Sequence, residues 1–345
     1  MPTETKWRAV LKLTLILLGL FTFVLLWWWP KLGNQFSPVA APPTKDTGAE
    51  LPEVPSTSLG QHFIIGHWAN TTVASTTELI EEYQLAGVII MSPPEDPEEI
   101  KNWTTEWQAA SPTPLLIGID QEGGVVSRLK GPGFIQTSQR EVTTAENAYQ
   151  VGFERGQELA GLGINMVFAP VLDTANNPDS FMYKRVFPDR EQSAALAAAM
   201  IKGFSAAGVT AVPKHFPGHD DTEIDSHLEL PVVNIPESEI SNFITPFSEL
   251  LKNNPPEILM TAHVSFPSVD SLPATLSPYW LQTVLRNQLN YQGKIITDDM
   301  SMAGITSVMP IPEAAATALK AGADLILLAA EPEEIITVME YLSTK

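Results

Sequence analysis

The chain has 345 residues, 44% of them hydrophobic, with 20 basic against 40 acidic side chains and a formal charge of −20. That size and apolar content support one large core, and the acidic excess argues against nucleic acid or an anionic membrane surface as partner, since both need clustered Lys and Arg. With no cysteine at all, disulfides, thiolate catalysis, Cys-based zinc sites and a lipid anchor on Cys are excluded.

Lys6, Arg8 and Lys12 lead into an uncharged, Leu-rich run over 13–29 that ends in Trp27-Trp28-Trp29. Extended backward by Val10 and Leu11, it reaches the roughly 17–25 residues a helix needs to cross a hydrocarbon core. The spacing predicts a basic inner segment at 1–9 and a transmembrane anchor at 10–29, with the Trp cluster at the far interface and the rest of the chain outside the cytoplasm. A cleaved signal peptide, with 39–41 as the cleavage site, is the alternative. Residues 30–58 carry Pro30, Pro38, Pro42, Pro43, Pro52 and Pro55 among small polar residues, which reads as a semi-stiff linker.

From residue 59 to 345, short β-branched runs alternate with longer segments of helical period. The expected strands are 61–68, 87–91, 115–120, 166–173, 212–216, 258–264, 294–298 and 324–329. Between and after them lie expected helices at 77–85, 98–110, 145–162, 192–207, 237–251, 279–289, 312–321 and 333–342. Eight such alternations predict an α/β fold, a (β/α)8 barrel of TIM type forming a single domain; a doubly wound open sheet is the alternative. If catalysis sits at the carboxyl ends of the barrel strands, ionisable residues should collect there. Asp120, Asp173, Lys214 with His215, His263, and Asp298 with Asp299 occupy five of those ends. The competing explanation for an Asp in that place is a helix N-cap.

The densest chemistry lies in 214–227, where three of the chain's six histidines stand with three Asp, one Glu and one Lys. Such a loop is rich in groups that titrate near neutrality. Glycine-rich nucleotide motifs and the Gly-x-Ser-x-Gly elbow are absent. A pocket of carboxylates and histidines suits glycosidic or metal-assisted hydrolysis. Retaining glycoside cleavage needs a carboxylate nucleophile, for which Asp298 is placed, and a proton shuttle. Asp225 and His227, two apart in an extended loop, point the same way, so the carboxylate can orient the ring. A metal site would instead use His219, Asp221, Asp225 and His227.

Lys214-His215-Phe216-Pro217-Gly218-His219, followed by Asp221-Thr222 and Asp225-Ser226-His227, resembles the signature of family 3 glycoside hydrolases of the β-N-acetylhexosaminidase branch. Ile119-Asp120-Gln121-Glu122-Gly123-Gly124, Phe168-Ala169-Pro170-Val171-Leu172-Asp173, Met260-Thr261-Ala262-His263-Val264, Pro273-Ala274-Thr275-Leu276-Ser277 and Thr297-Asp298-Asp299-Met300-Ser301-Met302 are similar to further blocks of that family, in its order. The resemblance implies a monomeric, retaining, exo-acting enzyme on a single barrel, without cofactor or metal, that takes a carbohydrate substrate such as a peptidoglycan fragment. Asp298 is then the nucleophile and His227 the acid/base, partnered by Asp225. Asp120, Arg128, Arg185, Lys214 and His215 are implied to hold the sugar. Asp220, Val125 and Pro188 depart from the family's usual Gly, Arg and Gly. A β-glucosidase or a phosphorylase on the same site, and a barrel that binds cell-wall saccharide without turnover, are the competing readings.

Overall fold

A computed structural model of the chain describes residues 56–219, 222 and 225–344. The expected anchor at 10–29 lies outside the described residues, as do the segment before it and nearly all of the expected linker. Among the described residues, no helix is long and apolar enough to cross a membrane.

Eight parallel strands carry the architecture: β1 (Phe63–His67), β2 (Gly87–Ile90), β3 (Leu116–Ile119), β4 (Met166–Val167), β5 (Thr210–Ala211), β6 (Ile258–Met260), β7 (Lys294–Ile296) and β8 (Ile326–Leu328). Strands pair in the order β8-β1-β2-β3-β4-β5, with β6 and β7 as a separate pair. Two parallel bridges, Phe216 with Thr261 and Ile296 with Leu325, join that pair to the rest and close the ring. The outer layer comprises α1 (Val73–Tyr83), α2 (Pro97–Ala110), α3 (Ala145–Ala160), α4 (Arg190–Ala206), α5 (Thr245–Asn253), a π-type helix at Tyr279–Gln288, α6 (Ile311–Ala321) and α7 (Pro332–Ser343). Each strand is thus followed by a helix, as the alternation predicts.

Period-2 strand geometry sends successive side chains to opposite faces, and here both faces are buried. Ile64, Ile89, Met166, Val212, Ile296 and Leu327 fill the barrel interior. Phe63, Ile65, Val88, Ile90, Ile326 and Leu328 face the helices. Strands buried on both sides read as continuous apolar runs, which is why they stand out in the sequence.

Proline accounts for the places where the expected bounds shift. The long expected strand at 166–173 pairs regularly only at Met166–Val167 and resumes as a bridge at Val171, because Pro170 has no N–H to give the ladder. Likewise 212–216 is reduced to bridges at Lys214 and Phe216 between Pro213 and Pro217, while the regular pairing sits earlier, at Thr210–Ala211. The expected helix at 237–251 breaks into Glu237–Glu239, Ile240–Phe243 and α5. Pro246 at the start of α5 can only begin a helix.

Candidate active site

The acids expected at strand ends are not helix caps. Thr72, Asp96, Thr144 and Asp189 cap the helices after β1, β2, β3 and β4, each accepting a backbone N–H at the first turn. Asp120, just past β3, instead faces Lys214 Nζ at 2.8 Å and Arg128 at 3.2 Å. Glu122 lies in a short hairpin formed by Gln121–Gly123 and Val126–Ser127. Its carboxylate takes Lys214 Nζ at 2.8 Å and the Arg185 guanidinium in a two-pronged bond of 2.8 and 3.0 Å. Burial alone would raise both carboxyls, but the cations outweigh it and hold both below their ordinary range. Conversely, burial would lower Lys214 and Arg185, and their carboxylate partners hold both above it. All these groups are charged at neutral pH.

The hairpin is itself held from behind. Gly123 has φ +91°, and a Cβ there would meet Thr137 O at 2.2 Å, so only glycine fits. Arg155 of α3, fully buried, donates to the carbonyls of Glu122 and Thr137, each at 2.8 Å.

Asp173 organises two histidines. One carboxylate oxygen accepts the His215 N–H at 2.9 Å and His215 Nδ1 at 2.7 Å; the other accepts the His219 N–H at 2.7 Å and His219 Nδ1 at 3.0 Å. Burial pushes the Asp173 carboxyl up, yet the His215 and His219 contacts hold it well below the usual range. An ionised Asp173 makes each Nδ1 the protonated nitrogen. Burial lowers His215, so its ring is neutral and its Nε2 is an acceptor.

After β7, Asp298 accepts the Asp299 N–H at 2.8 Å. Burial raises its carboxyl, but His215, His263 and Lys214 outweigh that, and it lies below the ordinary value. Asp299 turns the other way, onto Ser301 Oγ at 2.6 Å and the Ala329 N–H at 2.9 Å. His263, fully buried, donates from Nε2 to the Asp299 carbonyl at 2.9 Å and sets Nδ1 3.0 Å from the Thr275 hydroxyl. Both ring nitrogens are engaged in holding the turn, so His263 is scaffold. His227 is the exposed member of the constellation: its Nδ1 lies 2.8 Å from Asp225 Oδ1, and its side chain is 66% accessible.

One cleft of about 350 Å³ gathers Asp298, His227, Asp120, Arg128, Arg185, Lys214 and His215. Asp225 stands behind His227 and does not line it. Glu122 and Lys130 also line the cleft and were not singled out by sequence reasoning, nor was Asp173 given a partner. The sequence signal for Glu122 was available, since it stands two residues after Asp120 and so on the same side of an extended segment.

The described members of the metal quartet, His219, Asp225 and His227, are not brought together. His219 is buried on Asp173 while His227 is paired with Asp225 on the exposed loop, and Asp221 lies outside the described residues. Among the described residues, Asp173, His215 and His219 offer ligand atoms within 4.8 Å of one another. Those atoms already bond to one another, each Nδ1 to its own carboxylate oxygen.

A closed α/β barrel with carboxylates, cations and histidines at the carboxyl ends of its strands has the layout of a barrel enzyme, and residues 50–344 match the model of the glycosyl hydrolase family 3 N-terminal domain. The chain belongs to that family and is a glycosidase, hydrolysing O-glycosyl bonds. It is 36% identical over 271 residues to a β-hexosaminidase of Alkalilimnicola ehrlichii, covering 75% of this chain and 78% of that one. With a β-hexosaminidase of Haemophilus influenzae the identity is 36% over 275 residues, 77% of this chain and 78% of the other. A solved family 3 β-N-acetylglucosaminidase from Paenibacillus superposes with a TM-score of 0.77 at 34% identity, over 84% of this chain and 58% of that longer one. A β-N-acetylhexosaminidase from Beutenbergia cavernae gives 0.76 at 25% identity, over 86% and 93%.

Proposed function

We propose that the chain is a retaining exo-β-N-acetylhexosaminidase that removes terminal β-linked N-acetylglucosamine, with peptidoglycan fragments as the source. The observation that carries this is the presence of Asp298 and His227 in one cleft with charged groups suited to sugar hydroxyls. The names of the related enzymes support the amino sugar.

Asp298, ionised, attacks the anomeric carbon and forms the glycosyl-enzyme ester. His227 gives a proton to the leaving oxygen, then takes one from the water that releases the sugar. Asp225 bonds Nδ1 and so leaves Nε2 to carry that proton in both directions. Asp120, Arg128, Arg185, Lys214 and His215 hold the sugar. Charge-assisted hydrogen bonds are about twice as strong as neutral ones, which gives a neutral sugar a use for so many charges.

The test is release of 4-nitrophenol from the β-N-acetylglucosaminide and the β-glucoside, with the anomeric form of the first product followed by NMR. Preference for the acetamido sugar with retained β configuration is expected. A preference for glucoside would move the reading to a β-glucosidase, and an inverted product would remove the covalent intermediate.

A further inference from the structure

The cleft lining holds four cations, Arg128, Lys130, Arg185 and Lys214, against three carboxylates, Asp120, Glu122 and Asp298. A surplus of positive charge in this cleft runs against a chain whose formal charge is −20. Three of these cations are ion-paired within the lining and one is not. Lys214 and Arg185 are bound to Glu122, and Arg128 to Asp120. Lys130 has neither an ion pair nor a hydrogen bond among the described residues, and it is exposed where Lys214 is buried.

We infer that Lys130 selects leaving groups that carry a carboxylate. This rests on the hexosaminidase reading, and the argument follows the layout of the cleft. The buried ion pairs form its floor, where an exo-acting enzyme seats the terminal ring. The leaving group then lies toward the exposed side, where the accessible His227 meets the glycosidic oxygen. Lys130 stands on that accessible part of the lining, together with the exposed Val125. A lone ammonium is a compact charge with three donors and no preset planar fork, which fits one carboxylate on a saccharide of variable pose. The ammonium contributes binding to the leaving group and takes no part in bond making.

The assignment is tested with the full chain and two chromogenic β-N-acetylglucosaminides, one with a 3-carboxy-4-nitrophenyl and one with a neutral 3-carbamoyl-4-nitrophenyl leaving group. The quantity read is the ratio of their kcat/KM values, compared between the wild type, Lys130→Gln and Lys130→Glu, so that the intrinsic reactivities of the two leaving groups cancel. Loss of one exposed ion pair should lower the carboxy-to-carbamoyl ratio by about three- to fivefold in Lys130→Gln. Lys130→Glu should lower it further, and the difference between variants should shrink at high salt. An unchanged ratio in both variants overturns the inference. So does a rate increase on adding inorganic phosphate that requires Lys130, which would assign the ammonium to an incoming anion. Absence of turnover of both glycosides by the wild type is a separate result: it sinks the hexosaminidase reading and takes this assignment with it.

Discussion

Asp173 never reaches the cleft, yet one carboxylate fixes the tautomer of two histidines through four contacts. Asp173→Asn should leave one amide N–H facing a ring nitrogen or backbone donor that it cannot satisfy. An unsatisfied buried group costs about 1–3 kcal/mol of folding free energy, so the variant should unfold earlier than the wild type, and kcat/KM should fall as His215 loses the carboxylate that orients it. Steady-state kinetics on the aryl glycoside reads this directly; wild-type rates would show that His215 needs no such orienter. Asp298→Ala should abolish turnover while leaving thermal unfolding near that of the wild type, and an active variant would remove the nucleophile assignment. The environment of Asp298 also sets a pH expectation. Its carboxyl is held below the ordinary range and must be ionised to attack, so the acid limb of kcat/KM should lie below the usual Asp value. Lys214→Met removes the lysine charge that helps hold it there and should move that limb upward; a limb that stays put would detach it from Asp298. At this scale the sequence was legible by residue type and by position at strand ends. The Asp225–His227 pair was legible from its spacing; the ion pairs were not, because which cation meets Asp120 and which meets Glu122 is set by the barrel's closure and not by spacing along the chain.

Between elements, two contacts carry consequences for stability. Gly203 on α4 lies so close to α3 that a Cβ would sit 2.2 Å from the Tyr149 carbonyl. Gly203→Ala must push the helices apart, and overpacking of this kind costs about 1–3 kcal/mol. A fall in the denaturation midpoint with unchanged KM would separate this packing role from any role in the site. His67, at the end of β1, is buried against Trp103 and Trp107 of α2 and bonds Thr76 of α1 at 2.8 Å. Burial pushes its ring from 6.5 down to about 4, so the folded state favours the neutral form. Stability from this group is therefore complete above about pH 6.5 and is lost as pH falls toward 4, a total of about 3 kcal/mol. Unfolding free energies measured at pH 7 and 5 should diverge for the wild type and much less for His67→Gln; equal slopes would assign the acid sensitivity elsewhere. The elements themselves were legible because both faces of each strand are apolar. Their ends were less so, since Pro170 and Pro213 remove ladder donors inside runs that still look like strands.

For the whole molecule, the strand count and the strand-helix alternation, and with them the barrel, were readable in the sequence, whereas the contacts that close the ring were not. The closing contacts are bridges at single residues, invisible to any periodicity. The anchor at 10–29 remains a proposal of the sequence. Full-length chain should sediment with membranes, and removal of residues 1–29 should release it; a mature form beginning near residue 42 would point instead to a cleaved signal peptide. Where β7 meets β8, the Leu327 N–H goes to Thr297 Oγ1 at 3.0 Å and the Ala329 N–H to Asp299 Oδ1 at 2.9 Å. Side-chain oxygens there take N–H groups that a regular ladder would give to backbone carbonyls. Three consecutive residues, Thr297, Asp298 and Asp299, thus divide two duties: the outer two bind neighbouring strands together, and the middle one lines the cleft. The carboxylate proposed as nucleophile consequently sits on a short span of chain clamped at both ends, with its position along the wall fixed before any substrate arrives.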